Sequence, residues 1–114
     1  MLLFVNDLTV IDFSYLCTQR GMVGESWIVD LTLHGDLDDQ NMVLDFGKVK
    51  KQVKRIIDDT VDHKLVVPSE YAGSKVEHIA NTDYIRVEFI ADTGERIAIS
   101  SPEDAYCFID AERI

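Results

Sequence analysis

From Glu25 to Gly35 the chain alternates: Trp27, Val29, Leu31 and Leu33 fall on one face, and Ser26, Asp30, Thr32 and His34 on the other. A period of two with one apolar face marks a half-buried β-strand. Leu2 to Phe13, with Val5, Val10, Ile11 and Phe13 among polar residues, has the composition of a partner strand. Ser14 to Gly24, containing Arg20-Gly21 and Gly24, reads as a loop between them, and Asp36 to Asn41 as a polar turn. The period then lengthens. Phe46, Val49, Val53, Ile56, Ile57 and Val61 recur at helical spacing, and the Asp45 carboxylate is suited to cap orphan N–H groups. These cues predict a helix from Asp45 to about Thr60.

Pro68 and Gly73 break the chain into a loop over Pro68 to Ser74. Beyond it, Ile85, Val87 and Phe89 alternate with Arg86 and Glu88, Asp92-Thr93-Gly94-Glu95 signals a turn, and Ile97 and Ile99 resume the alternation. The expectation is a β-hairpin from Tyr84 to Ser100, with Lys75 to Ile79 as a candidate third strand. Ser101-Pro102-Glu103-Asp104 resembles a helix start, with Ser as cap, Pro at the first helical position and an acid three residues after the cap. Tyr106-Cys107-Phe108-Ile109 would be its apolar face. The fold class expected is α+β: an antiparallel hairpin from Leu2 to Gly35, one main helix packed on it, and an added hairpin.

Composition narrows the function classes. The 114 residues suit a single domain, and 46% hydrophobic with 28% charged residues favours a folded chain. A formal charge of -10, from 21 acidic and 11 basic residues, disfavours nucleic acid and anionic membranes as partners. Lys48, Lys50, Lys51, Lys54 and Arg55 therefore read as a solvated helix face rather than a nucleic-acid patch. No secretory leader or membrane-length apolar run is evident, so Cys17 and Cys107 are expected to be reduced and the protein cytoplasmic. His34, His63 and His78 lie far apart, with no metal-binding spacing among them.

The stretch Asn41-Met42-Val43-Leu44-Asp45-Phe46, followed by a helix and then Val61-Asp62-His63, carries a more specific signal. With two strands before it, this order resembles the 6-pyruvoyl-tetrahydropterin synthase and 6-carboxytetrahydropterin synthase family. The resemblance covers about the first 65 residues. It implies the tunnelling fold, in which ββααββ subunits associate into a barrel with pterin sites between them, and hence a homo-oligomer. It also implies carbon–oxygen lyase chemistry on a dihydroneopterin triphosphate-type substrate, in pterin or queuosine biosynthesis. Asp62-His63 matches the family's Asp-His element, a proton relay; a carboxylate beside an imidazole orients it and stabilises its cation. The same dipeptide also serves as a plain helix end, and its place after this helix favours the relay.

Other family positions are altered. The resemblance places three zinc-binding histidines at Ser14, Val23 and Glu25, of which valine cannot ligate metal and serine binds zinc weakly. No cofactor is therefore expected for this chain itself, zinc being a family property that residues beyond Ile114 would have to supply. The catalytic cysteine falls near Gln19, two residues from Cys17, which serves only if the loop shifts and is otherwise an inert thiol. Glu70, Glu88 and Glu103 are acids with no clear match to the pterin-anchoring residue. The expectation is one synthase-like domain over 1–114, with a family-like core over 1–67 and an inserted hairpin over 75–100. It is expected to be the amino-terminal portion of a longer protein, lacking the second helix and the last two strands. The competing expectation is a noncatalytic tunnelling-fold scaffold that has lost the zinc site.

Overall fold

The computed structural model describes residues 2–34 and 39–114, the side chains of 39–45 excepted. Two long strands, β1 (Leu2–Cys17) and β2 (Gly21–His34), form an antiparallel ribbon. Helix α1 (Asp39–Thr60) follows, then β3 (Leu65–Pro68), β4 (Ser74–His78), β5 (Tyr84–Ile90), β6 (Arg96–Pro102), a 3-10 turn (Glu103–Ala105) and β7 (Tyr106–Ile109). One sheet has the order β2-β1-β3-β7 and the other β4-β5-β6. The fold is α+β, with one main helix and the added hairpin β5–β6 in place; β4 supplies its third strand.

The first sheet is antiparallel only at β1–β2, because β3 runs parallel to β1 and β7 parallel to β3. Helix α1 makes the crossover on one face and the second sheet covers the other. All of Leu65 to Pro68 is consequently buried. Such a doubly covered parallel strand reads as a continuous apolar run with no alternation to announce it. On one side Ile11, Phe13, Tyr15 and Val66 form a core with Ile57 and Val61 against it. On the other, Leu16, Leu65 and Val67 meet Ile85, Val87, Phe89 and Tyr106.

Three boundaries differ from expectation. The ribbon continues through Ser14 to Cys17 and resumes at Gly21, so the loop is only Thr18-Gln19-Arg20. Gly21 closes it at φ 78, a left-handed angle with little cost for glycine. The helix begins at Asp39, six residues before Asp45, which is therefore inside the helix and not its cap. Residues 40–44 contain no Gly or Pro to bar helix. Of the polar turn expected at 36–41, residues 39–41 are helical, and 36–38 lie outside the described residues. Finally, Ser101 and Pro102 end β6, and Tyr106 to Ile109 form a strand, not a helix. Pairing with β3 along Leu65↔Tyr106 to Pro68↔Ile109 outweighs the local cap signal. Ile56 also leaves the helix stripe and faces solvent.

The ribbon carries a wide bulge. Val5 pairs with Leu31 and Thr9 with Val29, so Asn6, Asp7 and Leu8 face Asp30 alone. Asp7, at φ 58, donates its backbone N–H to Asp30 Oδ1 at 2.7 Å. Two extra residues preserve the alternation of faces, where one would have reversed it. No described helix is long and apolar enough to cross a membrane.

Candidate functional site

Helix α1 ends beside the middle of β1. Val61 and Asp62 both donate backbone N–H to the Ile57 carbonyl, at 3.1 and 3.3 Å. His63 then takes a left-handed angle, φ 59, which turns the chain into β3. This junction clamps one residue of β1. Asp12 donates its N–H to Asp62 Oδ1 at 2.9 Å, and its carbonyl accepts from the His63 N–H at 2.8 Å. One residue pair thus saturates both backbone groups of Asp12, and Ser14 N–H donates to the Lys64 carbonyl at 3.1 Å to continue the ladder.

The side chains follow from that clamp. Asp62 is 17% exposed and His63 78% exposed, with His63 Nε2 3.4 Å from Asp62 Oδ2. One carboxylate oxygen holds the strand while the other faces the imidazole, leaving the ring's outer side to solvent. On the sheet, Ser26 donates its hydroxyl hydrogen to Asp12 Oδ1 at 2.5 Å. Lys64 Nζ donates to the carbonyl of Asp104, which ties the 3-10 turn to this corner. Together Asp12, Ser14, His63, Lys64 and Ala105 line an open cleft of about 480 Å³. It holds a carboxylate, a hydroxyl, an ammonium and an imidazole, enough to bind a polar planar molecule and move a proton to or from it.

Cys17 is placed elsewhere. In the β1–β2 register Ser14 opposes Gly24, Tyr15 opposes Val23 and Cys17 opposes Gly21. Cys17 therefore projects on the opposite face of β1 from Asp12 and Ser14, into a separate cleft with Tyr15, Arg20 and Arg113. Its basic neighbour, not recognised in the sequence, is Arg20 across the turn. Backbone N–H groups of Gln19 and Arg20, and then the Arg20 guanidinium, hold the thiol below the usual cysteine range. Glu88 is engaged by Arg86 at 3.0 Å on the second sheet, and neither Glu70 nor Glu103 lines the Asp62–His63 cleft. Asp12 and Ser26, which do belong to this corner, were missed. The signal was a charge inside an otherwise apolar strand segment, Val10-Ile11-Asp12-Phe13.

The same register tests the zinc positions. Val23 and Glu25 oppose Tyr15 and Phe13 and share their face, whereas Ser14 lies on the other. Side chains at 14, 23 and 25 cannot converge on one ion, and Val23 offers no donor. Among the described residues no three His, Cys, Asp or Glu side chains are grouped to hold a metal. The residues present do not fit the family's zinc.

Comparison with known proteins bears on the fold and the family. The crystal structure of 6-pyruvoyl tetrahydropterin synthase from Plasmodium vivax matches with a TM-score of 0.69 at 18% identity, over 99% of this chain and 68% of that one. A catalytic-residue mutant of the same Plasmodium vivax enzyme matches equally, at TM-score 0.69 and 18% identity. At that identity the likeness is one of fold, the tunnelling fold. A comparison with curated proteins gave no match. The family model described as 6-pyruvoyl tetrahydropterin synthase matches residues 17–109, which takes in β2, α1 and the second sheet. The chain belongs to the 6-pyruvoyl tetrahydropterin synthase family.

Proposed function

We propose that this chain is a pterin-binding subunit of a homo-oligomer, part of a lyase acting on a dihydroneopterin triphosphate-type substrate in pterin or queuosine biosynthesis. The observation that carries this reading is the Asp62–His63 pair, hydrogen-bonded to the backbone of β1, with His63 lining an open polar cleft. Asp62 orients the imidazole, and His63 accepts or returns a proton at the bound ligand. The metal-dependent part of the family chemistry has no place among the described residues, so the isolated chain binds ligand without completing the reaction. Exposed apolar residues on the ribbon support the oligomer: Phe4 is 64%, Val10 52% and Ile28 65% exposed, on the face away from α1.

A noncatalytic scaffold is the second reading, favoured by Val23 at a ligand position. One experiment separates the two. Purified, untagged protein is titrated with dihydroneopterin triphosphate, with and without added zinc, while bound ligand and released triphosphate are followed. The first reading expects saturable binding that depends on His63 and release below detection for the isolated chain. No binding at all leaves the scaffold reading as the better account. Zinc-dependent turnover would mean that a metal site does form, against the face assignment of residues 14, 23 and 25.

A further inference from the structure

Strand β4 is an edge: among the described residues it pairs only with β5, and Lys75 to His78 are exposed. Its register fixes which backbone groups face outward. The Ile90 N–H donates to the Gly73 carbonyl and the Ile79 N–H to the Tyr84 carbonyl, each at 3.0 Å, at the two ends of the β4–β5 ladder. In an antiparallel pair, residues that exchange hydrogen bonds alternate with residues that do not. Lys75 and Glu77 therefore turn their backbone groups toward β5, and Ser74, Val76 and His78 turn theirs to the open edge. Of these groups, the Ser74 N–H is taken by the Tyr71 carbonyl at 2.9 Å. The side chains divide likewise. Val76 lies in a row with Val87 and Ile99 on the face toward the first sheet, yet it is 37% exposed where Val87 is 1% exposed. Lys75 and Glu77 lie on the outer face, opposite Glu88 and Arg86.

We propose that β4 pairs with β4 of a second copy of this chain, antiparallel about a two-fold axis through Val76, so that the second sheets of the two copies join into one. Backbone parity requires outward-facing residues to meet each other, and charge then selects among the registers left. Centring on Lys75 or on Glu77 sets like charges opposite, which destabilises a strand pair. Centring on Val76 sets Lys75 against the partner's Glu77, and Glu77 against the partner's Lys75. The outer face then carries Glu88, Lys75, the partner's Glu77 and the partner's Arg86 in line, alternating in sign. The inner face carries Ile99, Val87 and Val76 against the same three residues of the partner. Val76 exchanges N–H and C=O with its counterpart, and the His78 N–H donates to the partner's Ser74 carbonyl. A two-fold contact needs a patch that is complementary to itself in this way. Charge commonly guards an edge strand against pairing. Here the two charges are opposite in sign and flank the centre, so they set a register instead of blocking it. So short a strand buries less than a stand-alone dimer needs, and the contact is weak by itself.

The test uses two variants of the full chain, Glu77→Lys and Lys75→Glu, each made with Val10→Lys and Ile28→Lys so that association through the ribbon is suppressed. Each variant alone sets like charges across the two-fold axis, whereas a mixture of the two sets opposite charges there. Any change within a chain is the same alone and mixed. One variant is isotopically labelled to mark the mixed species. At concentrations on the order of 100 μM, suited to a small contact, native mass spectrometry should show the mixed dimer forming about tenfold more tightly than either variant's own dimer. Slower hydrogen exchange at the Val76 and His78 amides with rising concentration of the unaltered chain places the contact on this strand. Should a charge variant fold poorly, Val76→Pro gives the same reading, because it removes a donor that faces the edge and not β5, leaving the fold and losing the dimer. A mixture that pairs no better than its components, or a β4 contact that survives Val76→Pro, would overturn the proposal.

Discussion

His63 stands in a left-handed backbone conformation that glycine adopts with less strain, yet the residue there is an imidazole. Strain of this kind persists where surrounding structure enforces it, often at functional positions. The structure supplies the enforcement through Asp12 and Asp62. The conflict gives a clean separation of roles. His63→Gly should raise unfolding stability by roughly 1 kcal/mol, read by urea denaturation, because glycine relieves the strain. It should also weaken pterin-type ligand binding about tenfold, the loss of one good hydrogen bond to a charged group. A purely structural helix end predicts the first effect without the second. Cys17 gives a pH prediction of definite sign. Its folded-state pKa lies below the usual value, chiefly through the Gln19 and Arg20 N–H groups. The stability this contributes is present above the unfolded-state pKa and lost as pH falls through the folded one. Alkylation by iodoacetamide should therefore reach half its maximal rate at a lower pH in the folded chain than in urea. Equal midpoints would contradict the hydrogen-bonded thiolate.

At the scale of elements, the contrast is between the doubly covered sheet and the lightly covered helix. Phe89 and Leu16 are fully buried between the sheets, while Ile56 on α1 is exposed. Phe89→Ala should cost about 4 kcal/mol through lost burial and an unfilled cavity. Ile56→Ala should change stability by less than about 0.5 kcal/mol. Chemical denaturation of the two variants checks both, and a similar cost for each would mean that α1 packs more deeply than described. Elements with their own period were legible in the sequence: the ribbon, α1, and the β5–β6 hairpin with its Asp92-Thr93-Gly94 turn. Gly94, at φ 89, closes that turn, and its N–H donates to the Ala91 carbonyl at 2.9 Å. Elements defined by what lies across from them were not legible. β3 has no alternation because both of its faces are covered. β7 carries a helix-like start, but it completes a parallel pair whose partner lies some forty residues earlier. The Asp62–His63 pair was legible because both residues are adjacent in sequence. Asp12 was not, since only the fold brings it to them across fifty residues.

For the whole molecule, the β1–β2 ribbon leaves both a strand edge and apolar side chains open. β2 is a long edge strand of the first sheet, and Phe4, Val10 and Ile28 expose apolar surface on the face opposite α1. Long open edges and contiguous apolar patches are usually covered in the working state. We expect sedimentation velocity at micromolar concentration to show a species larger than 12.9 kDa. Ile28→Lys with Val10→Lys should shift it toward monomer without unfolding the chain, since both side chains already face solvent. A monomer in the unaltered protein would remove the homo-oligomer from the account. The central claim is that the clamped Asp62–His63 pair forms a ligand site in a chain without its own zinc. Isothermal titration of metal-free protein with dihydroneopterin triphosphate tests it most directly. The account predicts saturable binding that weakens about tenfold in His63→Ala and is unchanged in Cys17→Ser. Absence of binding, or binding indifferent to His63, would contradict it.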